Sequence, residues 1–144
     1  MVTKLKNFMR VQSYSDLQAA ALLIVRIIVG VAMILHGWGK IQNPFGWMGP
    51  DAAVPGIFQF LAALSEFGGG IALVLGLLFR VASLGLIFTM LVATLLHAVV
   101  KGDPFVSMGG PSYELALVYF GISIMFLATG PGKFALDKMI FGSK

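Results

Sequence analysis

Four ionisable side chains, His36, Glu66, His97 and Glu114, interrupt otherwise apolar stretches of the chain. Imidazoles and carboxylates can exchange protons, hydrogen-bond a carbonyl ligand or bind a metal. At ~1.5 Å per residue, helices of alternating direction would place all four roughly 20 to 25 Å from one membrane face. Burying such groups in lipid costs several kcal/mol each, so we expect at least three of them to point inward. We predict that this polar layer is the functional site.

The elements that carry these groups are four apolar runs, each about long enough to cross a ~30 Å hydrocarbon core as a helix. They are Ala19–Ile41, Ile57–Phe79, Val81–Val100 and Tyr113–Thr129. Hydrophobic residues make up 58% of the 144 residues and charged residues only 11%, whereas a soluble domain is about a quarter charged. The sequence therefore predicts an all-α fold, an integral membrane four-helix bundle.

We divide the chain into a lead-in at 1–18, a transmembrane domain at 19–129 and an amphipathic tail at 130–144. The lead-in is a candidate interfacial helix through Leu5, Phe8 and Met9. We expect no cleavable signal peptide, because the first apolar run is too long for a signal sequence.

Basic residues concentrate at one end of this four-helix arrangement, which explains the net charge of +4 without any nucleic-acid partner. By the positive-inside rule, both termini are predicted to be cytoplasmic. That end would carry Lys4, Lys6, Arg10, Arg80, Lys133, Lys138 and Lys144. The loops 42–56 and 101–112 would then face outward, with the polar layer nearer the outer surface.

The sequence argues against several classes of site. Cysteine is absent, which excludes disulfides, thiolate catalysis and cysteine metal sites within the chain. No His-x3-His or Glu-x2-His pair supplies two ligands from one helix, so we assign no metal ligands. A metal or haem protein stays a third alternative, which an absorption spectrum would reveal.

Arg26 is the one charge deep inside the first run, on a stripe that continues through Gly30, Met33, Gly37 and Lys40. We expect a buried pair between Arg26 and Glu66 that locks the first two helices together. A lysine near a membrane surface usually extends its ammonium to the headgroups. We favour that reading for Lys101 and leave ligand contact open for Lys40.

The glycines beside Glu66 and the remaining carboxylates allow simpler structural interpretations. Gly69 and Gly70, beside Glu66, either admit a flat ligand or allow tight helix packing. Glu114 could simply suit the dipole at the start of its helix. Asp51, Asp103 and Asp137 are expected to be solvated.

Two segments of the sequence resemble each other. Residues 36–50, HGWGKIQNPFGWMGP, and 97–111, HAVVKGDPFVSMGGP, share His-x3-Lys and then Pro-Phe, Met and Gly-Pro in that order. This pattern favours two parallel hairpin repeats related by an axis along the membrane normal. Chance similarity between two loops rich in Gly, Pro and Phe is the alternative.

The combined pattern resembles the DoxX family. The resemblance rests on Arg26-x3-Gly30, His36-Gly37-x2-Lys40, Glu66-x-Gly68-Gly69-Gly70, Tyr113-Glu114 and Gly130-Pro131-Gly132-x4-Asp137. It implies a small four-helix bacterial or archaeal membrane protein. The family name derives from proteins of quinone-linked sulfur oxidation, and other members are associated with redox stress.

Two functions fit these observations. The first is a quinone-linked redox subunit, in which His36, Glu66 and His97 are catalytic and Arg26, Lys40, Gly69, Gly70 and Glu114 help to bind the ligand. Its electrons must come from a redox partner or a bound substrate, because the chain has no recognisable electron carrier. The second is a non-enzymatic carrier, receptor or assembly factor that uses the same layer. Whether the chain is an enzyme, and whether it is an oligomer, stays open.

Overall fold

A computed structural model describes residues 7–52 and 54–143, and the membrane-helix bundle expected from the sequence is confirmed. Leu5 lies outside the described residues. A π-helical turn, Leu96–Val100, extends the third helix. The five helices are α1 Asp16–Gln42, α2 Gly56–Leu75, α3 Phe79–Leu95, α4 Glu114–Thr129 and α5 Leu136–Phe141.

Three of these segments are long and apolar enough to cross a membrane, judged by length and composition alone: α1, α2, and α3 with its π-helical turn. The helix α4 is apolar but shorter, at 16 residues. Large apolar side chains such as Leu35, Phe88 and Val99 are more than two-thirds exposed on the outside of the bundle. Such surfaces are typical of contact with lipid chains.

Helix α1 begins at Asp16, three residues before the predicted apolar run, and a capping box at Ser15 fixes this start. The Ser15 hydroxyl accepts a hydrogen bond from the Gln18 backbone N–H, and the Gln18 side chain accepts one from the Ser15 N–H. These two bonds satisfy backbone donors that the first turn of a helix leaves unpaired.

Helices α1 and α2 approach so closely that their glycines leave no room for a side chain. A Cβ on Gly37 would lie 2.4 Å from the backbone nitrogen of Phe67, and one on Gly70 would lie 2.7 Å from the oxygen of Gly30. Gly30 and Gly37, on the stripe that begins at Arg26, therefore form a groove on α1 that receives α2. It fixes the register of the two antiparallel helices.

The turn between α2 and α3 is held by the tail, through Asp137. Leu78 has a left-handed backbone, with φ 47°, which is costly for a bulky residue. The Asp137 carboxylate accepts hydrogen bonds from the N–H groups of Leu78, at 2.7 Å, and Phe79, at 2.9 Å. Because Asp137 is fully buried, the expectation that it is solvated is wrong. Burial raises its pKa above the ordinary value, although the two N–H groups and nearby arginines oppose the shift.

Both ends of the described chain meet at one end of the bundle. The Tyr14 hydroxyl donates to the backbone oxygen of Thr129 at 2.8 Å, and the Lys133 ammonium binds the Asp16 carboxylate. At the opposite end of the bundle, residues 43–55 join α1 to α2 and residues 101–113 join α3 to α4.

Candidate functional site

The predicted pair between Arg26 and Glu66 is wrong. The Arg26 guanidinium, only 2% exposed, donates to three backbone oxygens: Pro131 at 2.6 Å, Phe134 at 2.8 Å and Val74 at 3.1 Å. The packing of α1 on α2 explains this choice, since it sets Arg26 beside Val74. Glu66 lies eight residues away along α2, or about 12 Å by the helical rise. Arg26 therefore ties the end of α2 to the tail and does not contact the polar layer.

Glu66 pairs instead with Lys40. The Lys40 Nζ lies 2.6 Å from Glu66 Oε1 and 2.6 Å from Oε2. The ammonium therefore contacts both oxygens of a carboxylate whose side chain is 4% exposed. The Lys40 ammonium also lies over the Trp47 ring, 4.6 Å from its centroid. The lysine thus turns inward and does not extend to the headgroups.

This ion pair borders a cavity of about 720 Å³ between α2, α3 and the loop after α1. Its volume lies within the ordinary range for small-molecule sites, and most of its lining is apolar. The polar part of the lining consists of Lys40, Trp47, Gln59, Ser65, Glu66 and Thr89.

The cavity opens sideways, between α2 and α3. Four apolar residues of its lining, Phe58, Leu61, Phe88 and Val92, are between 47% and 67% exposed. Exposed apolar side chains on membrane helices are typical of a surface that contacts lipid chains.

Gln59, which sequence reasoning missed, fixes the loop over the cavity. Its side chain is buried; Oε1 accepts from the Met48 N–H at 3.0 Å, and Nε2 donates to the Val54 oxygen at 2.8 Å. Its backbone oxygen accepts from Trp47 Nε1 at 3.0 Å. The only signal in the sequence was a glutamine within the apolar run that begins at Ile57.

His36 and Glu114 do not point into the bundle. The prediction that the four polar side chains face one another is therefore wrong for these two. His36 is exposed on α1 and packs edge-on against Tyr119 of α4, with ring centroids 6.1 Å apart. Glu114 is exposed in the first turn of α4. Neither residue lines the cavity.

His97 also lies outside the cavity lining, and its partner is an aspartate that we expected to be solvated. The Nδ1 atom of His97 lies 2.6 Å from Asp103 Oδ2, which corrects the expectation for Asp103. The π-helical turn that contains His97 brings the following loop back toward it, and such turns often mark functional positions.

Gly69 and Gly70 serve helix packing. Gly70 is pressed against α1, and a Cβ on Gly69 would lie 3.8 Å from Leu86 of α3. Open space is found nearer the N-terminal end of α2, beside Ser65 and Glu66. Among the residues that the structure describes, no group of three or more His, Cys, Asp and Glu residues could hold a metal ion.

The repeat hypothesis stays a prediction, with observations on both sides. In each half, the Phe of Pro-Phe packs on an aromatic ring near the next helix start: Phe45 on Phe60, and Phe105 on Tyr113. The ion pairs differ, however, because the first half uses its lysine, Lys40, and the second its histidine, His97.

Comparison with known proteins places this architecture in a family. The DoxX family model matches residues 21–99. The chain is 32% identical over 127 residues to "Inner membrane protein YqjF" of Escherichia coli, covering 86% of this chain and 95% of that protein. It is 36% identical over 124 residues to an "Uncharacterized protein" of Haemophilus influenzae, covering 83% of this chain and 90% of the other.

A more distant relative carries a functional name. "Putative oxidoreductase CatD" of Bacillus subtilis is 28% identical over 124 residues, which cover 85% of this chain and 88% of that protein. No solved structure matches the chain significantly. The family match and the nearly full-length relatives together establish that this membrane protein belongs to the DoxX family.

Proposed function

We propose that the protein is a quinone-linked redox subunit that binds a lipid-soluble, quinone-class ligand in the cavity between α2 and α3. The observation that carries this proposal is the Lys40–Glu66 pair, with its carboxylate buried, on the wall of a cavity whose exposed side is apolar. A quinone ring and its tail need an apolar slot that is reachable from the bilayer. The carbonyl end of the molecule needs a few polar groups at the inner end of that slot.

Within the cavity, the two charged residues would take different roles. Lys40 is a hydrogen-bond donor to an oxygen of the ring, and Glu66 is a group that accepts or returns a proton. Trp47 lies over the Lys40 ammonium and lines the same cavity, so it can pack on a flat ring. Positions His36 and His97 are less suited to this role than the sequence suggested, since neither lines the cavity.

The electrons would come from a separate redox protein or a bound substrate, because the chain has no cysteine and no recognisable electron carrier. The name of the Bacillus subtilis relative supports an oxidoreductase class for this chain as well. The name of the Escherichia coli relative supports the inner membrane as its location. We further propose that the termini are cytoplasmic, on the basis of the basic residues at that end.

The test is to purify the full chain in mild detergent, extract bound lipids for mass spectrometry and record an absorption spectrum. We expect a quinone-class species to copurify with the wild type and with Lys101→Met, and to be depleted in Glu66→Gln and Lys40→Met. Lys101→Met is the matched control, because Lys101 is exposed and lies outside the cavity. A preparation that carries a metal chromophore, or no quinone-class molecule, favours the non-enzymatic carrier, receptor or assembly role.

A further inference from the structure

The buried amide of Gln59 ties together two segments of the loop 43–55. The residue is 3% exposed, and both ends of its amide are bonded: Oε1 accepts from the Met48 N–H at 3.0 Å, and Nε2 donates to the Val54 oxygen at 2.8 Å. A leucine at this position would form neither bond, and an ionised glutamate would lack the donor. The buried glutamine therefore suits this place in the loop through both its donor and its acceptor.

This loop separates the cavity from a second pocket. The cavity of about 720 Å³, which the Lys40–Glu66 pair borders, lies on one side of it. On the other side lies a loop pocket of about 530 Å³, whose lining includes the exposed residues Asn43, Phe45 and Pro50. Three residues line both spaces and form the wall between them: Val54, Pro55 and Gln59.

The same loop positions the groups that line the cavity. Trp47 Nε1 donates to the backbone oxygen of Gln59 at 3.0 Å, and the Trp47 ring centroid lies 4.6 Å from the Lys40 ammonium. Lys40 Nζ in turn lies 2.6 Å from Glu66 Oε1. Displacement of the loop would take the aromatic ring away from Lys40 and admit water to the ion pair, which weakens both interactions.

We propose that Gln59 is a positioning residue that closes the loop side of the cavity, so that the ligand enters through the apolar side between α2 and α3. Gln59 acts through the loop and Trp47, and it takes no part in the chemistry. Phe58 and Phe88, which are 58% and 67% exposed, line the cavity on the apolar side. A lipid-soluble molecule suits that route, whereas the closed loop keeps polar solutes away from the ion pair. The inference rests on the proposed function, because it assigns an access route to the same ligand.

Tryptophan fluorescence can report on the closed loop, since the chain has two tryptophans, Trp38 and Trp47. Trp38→Phe leaves Trp47 as the single reporter, and Trp38 lines neither the cavity nor the loop pocket. The full chain is placed in lipid nanodiscs, where iodide quenches tryptophan from the water. Iodide should quench Trp47 at least about 3-fold less than it quenches free N-acetyltryptophanamide, because the loop opens only rarely.

A matched pair of glutamine variants in the same Trp38→Phe background tests the role of Gln59. Gln59→Met removes both side-chain bonds with a side chain of similar length. Iodide quenching of Trp47 should then rise by about 2-fold or more, and the affinity for decylquinone should fall by about 2- to 5-fold as the closed population falls. Gln42→Met is the control, because Gln42 is exposed, lines neither space and should change neither measurement. Both variants are measured well below their melting temperatures, so that global unfolding does not contribute.

The outcomes separate this inference from the proposed function. Saturable quenching of Trp47 by decylquinone, with no effect of Gln59→Met on iodide quenching, overturns the inference and keeps the proposed function. A rise in iodide quenching in Gln59→Met, without saturable quenching by decylquinone, overturns the proposed function and keeps the closure of the loop. If Gln59→Met does not fold, the chain with its natural Gln59 decides: iodide quenching of Trp47 equal to that of N-acetyltryptophanamide overturns the inference.

Discussion

Lys40 of α1 and Glu66 of α2 form an ion pair, with Nζ 2.6 Å from Oε1, and the two side chains are 25% and 4% exposed. The pair joins the two most closely packed helices and also lines the cavity that α2 forms with α3. A charge pair within a membrane-helix bundle has to be stabilised by neighbouring groups, since lipid offers it no solvation. The same two residues therefore join two helices and line the cavity.

A double-mutant cycle should detect this pair and reject the one with Arg26. We expect Lys40→Met and Glu66→Gln to couple by about 0.5–3 kcal/mol in the free energy of unfolding, because contacting residues are not additive. Arg26→Met and Glu66→Gln should add within about 0.5 kcal/mol, as separated sites do. Unfolding in mixed micelles provides the measurement. Stronger coupling of Glu66 to Arg26 than to Lys40 would contradict the structure.

Two glycines on the same helix offer a matched test of the α1–α2 interface. Gly37→Ala should destabilise the protein by about 1–3 kcal/mol, because the new methyl group would overlap the Phe67 backbone. Gly39→Ala meets nothing within 4 Å and should be neutral or stabilising by up to about 1 kcal/mol. Thermal unfolding in detergent measures both variants. Equal effects would mean that the helices do not pack through Gly37.

The tail should detach when its buried anchors are removed. Arg26→Met loses the bonds to the Pro131 and Phe134 oxygens, and Asp137→Ala loses the caps on Leu78 and Phe79. Each variant leaves buried backbone groups unpaired, at a cost of about 1–3 kcal/mol per group.

Limited trypsin digestion of the folded protein reports this detachment, because Lys133 and Lys138 lie in the tail. Cleavage there should be faster in both variants than in the wild type. Asp51→Ala, an exposed aspartate in the opposite loop, should digest like the wild type. Unchanged cleavage in Arg26→Met and Asp137→Ala would show that these bonds do not hold the tail.

The orientation can be read with single cysteines, since the natural chain has none. A membrane-impermeant maleimide added to intact cells should label Val106→Cys in the outward loop and miss Lys138→Cys in the tail. Both positions are exposed, so accessibility within the fold does not limit either reaction. Labelling of position 138 alone would show that the termini face outward and would contradict this orientation.

Hydropathy predicted the membrane helices well, because a bilayer forces long apolar runs into helices. Depth along a helix was less informative, since it does not fix helix rotation. His36 has the depth of the polar layer, yet it faces Tyr119 on the outside. Arg26 and Lys40 share one stripe of α1, and the contact between Gly30 and Gly70 sets the register that brings Lys40 to Glu66. The roles of Asp137 and Gln59 depend on the folding of distant loops, which periodicity does not reveal.

The most direct test of the central claim is to map where a photoreactive quinone analogue attaches. An azidoquinone irradiated with the full chain in nanodiscs should label peptides that contain residues 58–66 of α2 and 85–96 of α3. Excess decylquinol should suppress the labelling, and Glu66→Gln should reduce it while Lys101→Met does not. Labelling confined to the face of His36, Tyr119 and Glu114, or labelling that excess ligand fails to suppress, would contradict a quinone-class site between α2 and α3.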